Sequence, residues 1–157
     1  MTARAFGVEF SSTGAELVSL ARAWIGTPYE HQASCRGAGT DCLGLLRGLW
    51  RERLGREPEA VPAYTPDWSQ ASGTEDLLAA AGRHLEPVRA DCQQLGDVLV
   101  LRMRDSGVAK HIGILALSPV GFPTLIHAYS GHGVVESPLT PSWRRRIGGV
   151  FRFPEVS

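Results

Sequence analysis

The chain is 157 residues long, a length that fits one domain and buries roughly 68 to 70% of the unfolded surface without disulfide or metal staples. Sixteen Lys plus Arg balance sixteen Asp plus Glu, which argues against nucleic acid as the main partner, because such binders carry a strong positive excess. The apolar runs are strand-sized, short of the roughly 20 residues a transmembrane helix needs. Residues 1–10 lack the basic start and continuous apolar stretch of a secretory signal. The expectation is a single domain, residues 1–157, made in the cytoplasm and not inserted in a membrane.

Leu17, Leu20, Ala21 and Trp24 recur at intervals of three and four, which predicts a first helix from Thr13 or Gly14 to Trp24, ended by Gly26, Thr27 and Pro28. Residues 29–40 read as a loop. A second helix starts at Asp41 or Cys42 and runs to Leu54, with Gly55 as its stop. Residues 55–73 hold three prolines and no period, a long loop of the kind used for covering or docking. Thr74, Glu75 and Asp76 read as the cap and acidic first turn of a third helix reaching Leu85.

After Pro87 the pattern becomes short β-rich runs over 97–103, 111–117, 124–129, 134–136 and 149–153. Helices first and strands second predict an α+β fold, with the N-terminal helices packed on an antiparallel sheet.

The three cysteines, Cys35, Cys42 and Cys92, are an odd number with no C-x-x-C pair, so neither a disulfide framework nor a common zinc module is predicted. Cys42 stands out. With Asp41 as N-cap, it falls on one apolar arc with Leu43, Leu45, Leu46, Leu49 and Trp50, facing the sheet. Free cysteine often packs as a small hydrophobe; the competing reading is chemical, since a helix N-terminus favours a thiolate and a nearby imidazolium raises its share.

His111 and His127 are the candidate partners. If 111–117 and 124–129 form a hairpin around Pro119 to Phe122, His127 faces Gly113, one diagonal step from His111 on the same side, and Gly113 leaves that space empty. A slip of one residue puts the imidazoles on opposite faces.

The runs Gly26-Thr27-Pro28-Tyr29, Asp41-Cys42-Leu43-Gly44-Leu45, Gly96-Asp97-Val98, His111-Ile112-Gly113-Ile114 and Ile126-His127-Ala128 resemble the NlpC/P60 family of cysteine peptidases over residues 15–153. The stretch 28–34 together with 41–45 is similar to the phage-tail branch, which includes cell-wall peptidases of prophage and gene-transfer-agent tails. The resemblance implies a papain-like fold and hydrolysis of amide bonds in peptidoglycan stem peptides, often beside D-glutamate and diaminopimelate. It assigns Cys42 as nucleophile, His111 as general base and later acid, and His127 as the residue that orients His111. Asp41 matches an aspartate that binds the stem peptide's free amine in some members, and Tyr29 a tyrosine beside the nucleophile. No metal or organic cofactor is implied.

Two departures stand out: Leu43 follows the nucleophile where many relatives have serine, and Gln32 and Ala33 replace a glycine pair. His31, two residues past Tyr29, is a candidate substrate contact. Delivery by a phage-like tail, with action on the wall in the periplasm and tail proteins as partners, accounts for the missing signal. Two other readings fit the same residues: a tail-tip structural component with a degenerate peptidase fold, and a papain-like acyltransferase. Trp143 to Arg146 reads as a solvated basic cluster.

Overall fold

A computed structural model describes residues 3–5, 8–10, 12–58, 76–103, 107 and 109–155. A two-stranded ribbon, β1 (Ala3–Ala5) and β2 (Val8–Phe10), precedes α1 (Ser12–Arg22). Inside the expected loop 29–40 lies a second small ribbon, β3 (Ser34–Cys35) with β4 (Gly39–Thr40), too short to leave any alternation in the sequence. α2 (Cys42–Leu54) follows, then α3 (Asp76–His84). The expected cap of α3, Thr74, its first-turn residue Glu75, and most of the expected loop 55–73 lie outside the described residues.

The remaining strands are β5 (Glu86–Val88), β6 (Val98–Arg102), β7 (Ala109–Leu117), β8 (Pro123–Tyr129), β9 (Gly133–Pro138) and β10 (Ile147–Arg152). A five-residue helix, α4 (Pro141–Arg145), joins the last two. They form one antiparallel sheet ordered β5-β10-β6-β7-β8-β9. This is the predicted α+β layout, with α1 and α2 against β7 and α3 against β10.

Both faces of the central strands are covered: Leu99, Leu101, Leu115 and Leu125 are as fully buried as Val98, Val100, Ile114 and Ile126. That double burial explains why the strand sequences read as nearly continuous apolar runs, in place of a half-polar alternation.

Two glycines set how closely α2 approaches its neighbours. A β-carbon on Gly48 would overlap the Trp24 ring, and one on Gly44 would overlap the Ala33 carbonyl oxygen. Only a bare backbone lets α2 sit this close to the Trp24 ring and to the turn before it. At the other end Gly55 takes φ 93° and its N–H reaches the carbonyls of Trp50 and Arg51, which stops the helix where the sequence placed the stop.

Candidate active site

Asp41 caps α2 from an extended conformation, φ −105° and ψ −173°. Its Oδ1 accepts the Gly44 N–H at 2.7 Å, the N3 donor a capping carboxylate satisfies. Its Oδ2 accepts the Gln32 N–H, also at 2.7 Å. One buried carboxylate thus ties the first turn of α2 to the turn before it.

Gln32 has φ 66°, and it is the only described residue other than glycine with positive φ. That explains the sequence departure noted above: the position favours glycine, and this chain holds a side chain there at a cost of about 1 kcal/mol. His31 Nδ1 lies 3.8 Å from Asp41 Oδ2, with about a third of the side chain exposed. Both candidate binding residues therefore border the start of α2, though Asp41 already serves two backbone donors.

The expected hairpin register between β7 and β8 is the one formed: Ile114 pairs with Ile126, Leu115 with Leu125, Ala116 with Thr124 and Leu117 with Pro123. Pairing stops at Ile114. β7 continues beside β6 to Ala109, and β8 continues beside β9 to Tyr129, so past that point β7 and β8 no longer form a ladder.

Cys42 Sγ lies 3.8 Å from the Lys110 carbonyl oxygen. The Ile112 N–H also hydrogen-bonds the sulfur. The thiol therefore sits beside the backbone on both sides of His111. His111 Nε2 and His127 Nδ1 are 2.8 Å apart, bridging the unpaired stretch. One expectation fails locally: the space beside Gly113 is not empty, because the Leu125 side chain fills it and would overlap a β-carbon there.

Burial first, then the Asp41 carboxylate, pushes the Cys42 thiol up to about 12; hydrogen bonds from the N–H groups of Ile112, Leu43 and Cys42 itself pull the other way. Burial and the neighbouring His127 drive His111 down to about 3. Burial, then His132, takes His127 down to about 4. Burial thus favours the neutral form of both the thiol and the imidazole. Of the two readings left open for Cys42, burial favours the neutral thiol, opposing the helix end that favours a thiolate. Tyr29, half-buried, is raised to about 12 by burial, then by Cys42 and Asp41, which puts its hydroxyl in the field of both groups.

Three participants escaped the sequence reading. Trp143 stacks on His111, centroids 5.6 Å apart and planes 26° apart, and meets His127 edge-on at 5.4 Å. It covers both imidazoles. Its inclusion in a solvated basic cluster is thus corrected, although Arg144 and Arg145 are exposed and Arg146 lies over the indole at 5.7 Å. Tyr129 stacks on His127 at 5.5 Å. Ser137 Oγ is 2.9 Å from His127 Nε2; the strand had been expected to end one residue earlier.

Asp97, from the Gly96-Asp97-Val98 run, takes no part in this group. It is buried and accepts both Arg152 Nε at 2.9 Å and Arg152 Nη2 at 3.0 Å, which fastens β10 near the start of β6.

No family model and no curated protein matches the sequence. Solved structures do. An NlpC/P60 family protein from Bacillus cereus superposes with TM-score 0.61 at 20% identity over 89% of this chain, which spans only 40% of that longer protein. The NlpC/p60 domain of the peptidoglycan hydrolase SagA gives 0.54 at 24% identity, covering 89% of this chain and 98% of that one. An N-acetylmuramoyl-L-alanine amidase from Bacteroides uniformis gives 0.55 at 14% identity, covering 92% of this chain and all of the other. The fold is the one these NlpC/P60 structures share.

Proposed function

We propose that this protein is a cysteine hydrolase that cuts an amide bond in peptidoglycan stem peptides. The observation that carries the reading is that Cys42, at the first position of α2, has its sulfur 3.8 Å from the carbonyl oxygen of Lys110, the residue before His111, whose ring is joined to His127 at 2.8 Å. The names of the neighbouring structures, a peptidoglycan hydrolase and an amidase, point to the same substrate class.

In the proposed reaction His111 Nδ1 takes the thiol proton as Cys42 Sγ attacks the substrate carbonyl carbon. The oxyanion is met by the N–H of Cys42 and by the Tyr29 hydroxyl. As the tetrahedral species collapses, the C–N bond breaks and His111 returns the proton to the leaving amine. Water, deprotonated by His111, then attacks the thioester and releases the acid and the thiol. Burial disfavours a separate ion pair, so in this reading proton transfer accompanies attack. His31 and Asp41 border the entrance as contacts for the stem peptide's charged groups, next to D-glutamate and diaminopimelate. Delivery on a phage-like tail to the periplasmic face of the wall rests on the resemblance of residues 28–34 and 41–45 to that branch.

Purified sacculi incubated with the protein and analysed by mass spectrometry test the reading. Fragments released by the wild type and not by Cys42→Ala are expected, with the new ends identifying the bond. A second reading, a tail-tip component with an inert peptidase fold, draws support from the thiol's hydrogen bond to the Lys110 carbonyl. No release by either protein favours it. Acyl transfer to an added amine in the same assay identifies the third, the acyltransferase.

A further inference from the structure

The two ring nitrogens of each histidine constrain one another. Between His111 Nε2 and His127 Nδ1, 2.8 Å apart, only one proton fits. For His111 to receive the thiol proton, its Nδ1 must hold a lone pair. Its own ring proton is then on Nε2, and His127 Nδ1 accepts it. A neutral His127 in that role carries its proton on Nε2, 2.9 Å from Ser137 Oγ, and that oxygen must accept it. The opposite assignment, with the Ser137 hydroxyl donating, places a proton on His127 Nδ1 and pushes the His111 proton to Nδ1, where it blocks the thiol.

We propose that Ser137 is a positioning residue: by accepting the His127 Nε2–H it holds His127 in the tautomer that keeps His111 Nδ1 open as a base. The inference rests on the hydrolase reading given above. Three observations support it. Ser137 pairs with Leu125 and Val135 with His127 on adjacent strands, so Ser137 lies one diagonal step from His127 on the same face. Among the described residues, Ser137 Oγ is the hydrogen-bond partner of His127 Nε2. Tyr129 and Trp143 hold the ring from its face and side, which leaves rotation of protons, more than rotation of the ring, as the freedom Ser137 removes.

The experiment compares Ser137→Val with Ser137→Thr, two β-branched residues of one shape that differ in the hydroxyl. On sacculi, Ser137→Val is expected to lose about 10-fold in kcat with KM within about 2-fold, and Ser137→Thr to stay within about 2-fold of wild type. Imidazole nitrogen shifts, read by NMR in the Cys42→Ala background, are expected to show His127 protonated on Nε2 with Ser or Thr at 137, and a tautomer mixture with Val. Wild-type kcat in Ser137→Val, or unchanged His127 nitrogen shifts in that variant, overturns the inference. If the wild type cuts no peptidoglycan, the hydrolase reading fails first, and the nitrogen shifts still decide the role of Ser137.

Discussion

One hairpin serves two purposes at its two ends. From Ile114 to Leu117, β7 is laddered to β8 and its side chains are pure core: Ile114, Leu115 and Ala116 are fully buried. From Ala109 to Gly113 the same strand keeps only its other neighbour, β6, and the gap toward β8 is crossed by an imidazole pair with a thiol beside it. Where backbone pairs with backbone the hairpin gains stability, and where pairing ends it leaves room for the two imidazole rings. A register specified strongly by the apolar end therefore aligns the histidines at the polar end, with no interaction of their own needed to set it.

The sharpest way to break this contrast is to truncate both ends. His111→Ala is expected to reduce turnover about 10^3-fold or more, while Leu115→Ala is expected to lower stability by about 2 to 5 kcal/mol. Thermal melts and sacculus digestion on the same two proteins check it. If the two variants lose stability equally, the division of labour is wrong. Gly44→Ala comes next. The added methyl has to displace the Ala33 carbonyl, so a loss of about 1 to 3 kcal/mol is expected, together with slower turnover from a shifted sulfur.

Acid and base sharpen the comparison without mutation. With His111 depressed to about 3 and Cys42 raised to about 12, kcat/KM is expected to stay level across neutral pH, and a limb near pH 6 to 7 would mean an ion pair. Iodoacetamide at pH 7 is expected to label exposed Cys35 and Cys92 ahead of Cys42, as mapped by peptide mass.

Stability follows the same groups. Below the ordinary histidine value of 6.5 the unfolded chain takes up protons that folded His111 and His127 refuse, so stability is lost as pH falls from 6.5 toward 4 and 3. His111→Gln is expected to make that fall shallower in melts recorded against pH. The smallest effect is at Gln32, where Gln32→Gly relieves the left-handed backbone and is expected to raise stability by less than about 1 kcal/mol.

Much of this was legible in the sequence because long strands and a well-spaced helix leave strong patterns. The hairpin register and the start of α2 at Cys42 followed from alternation and capping, and so did the nearness of His111 and His127, although the ladder stops one pair short of the expected Gly113 and His127. What stayed hidden was carried by elements too short to show a period. Trp143 sits on a helix of five residues whose arginines dominate its appearance. Ser137 stands next to Pro138, which reads as the end of a strand although β9 includes it. The ionisation of Cys42 was hidden for another reason: a helix end is visible in a sequence, whereas the depth at which its first residue lies is a property of the folded chain.

The doubly engaged carboxylate of Asp41 has a further consequence. Because one side chain grips both the turn at Gln32 and the first turn of α2, a change that moves that turn also pulls on the backbone that carries the Cys42 sulfur. A replacement that respects the positive φ at Gln32 leaves that double grip intact, whereas one at Asp41 releases both ends at once.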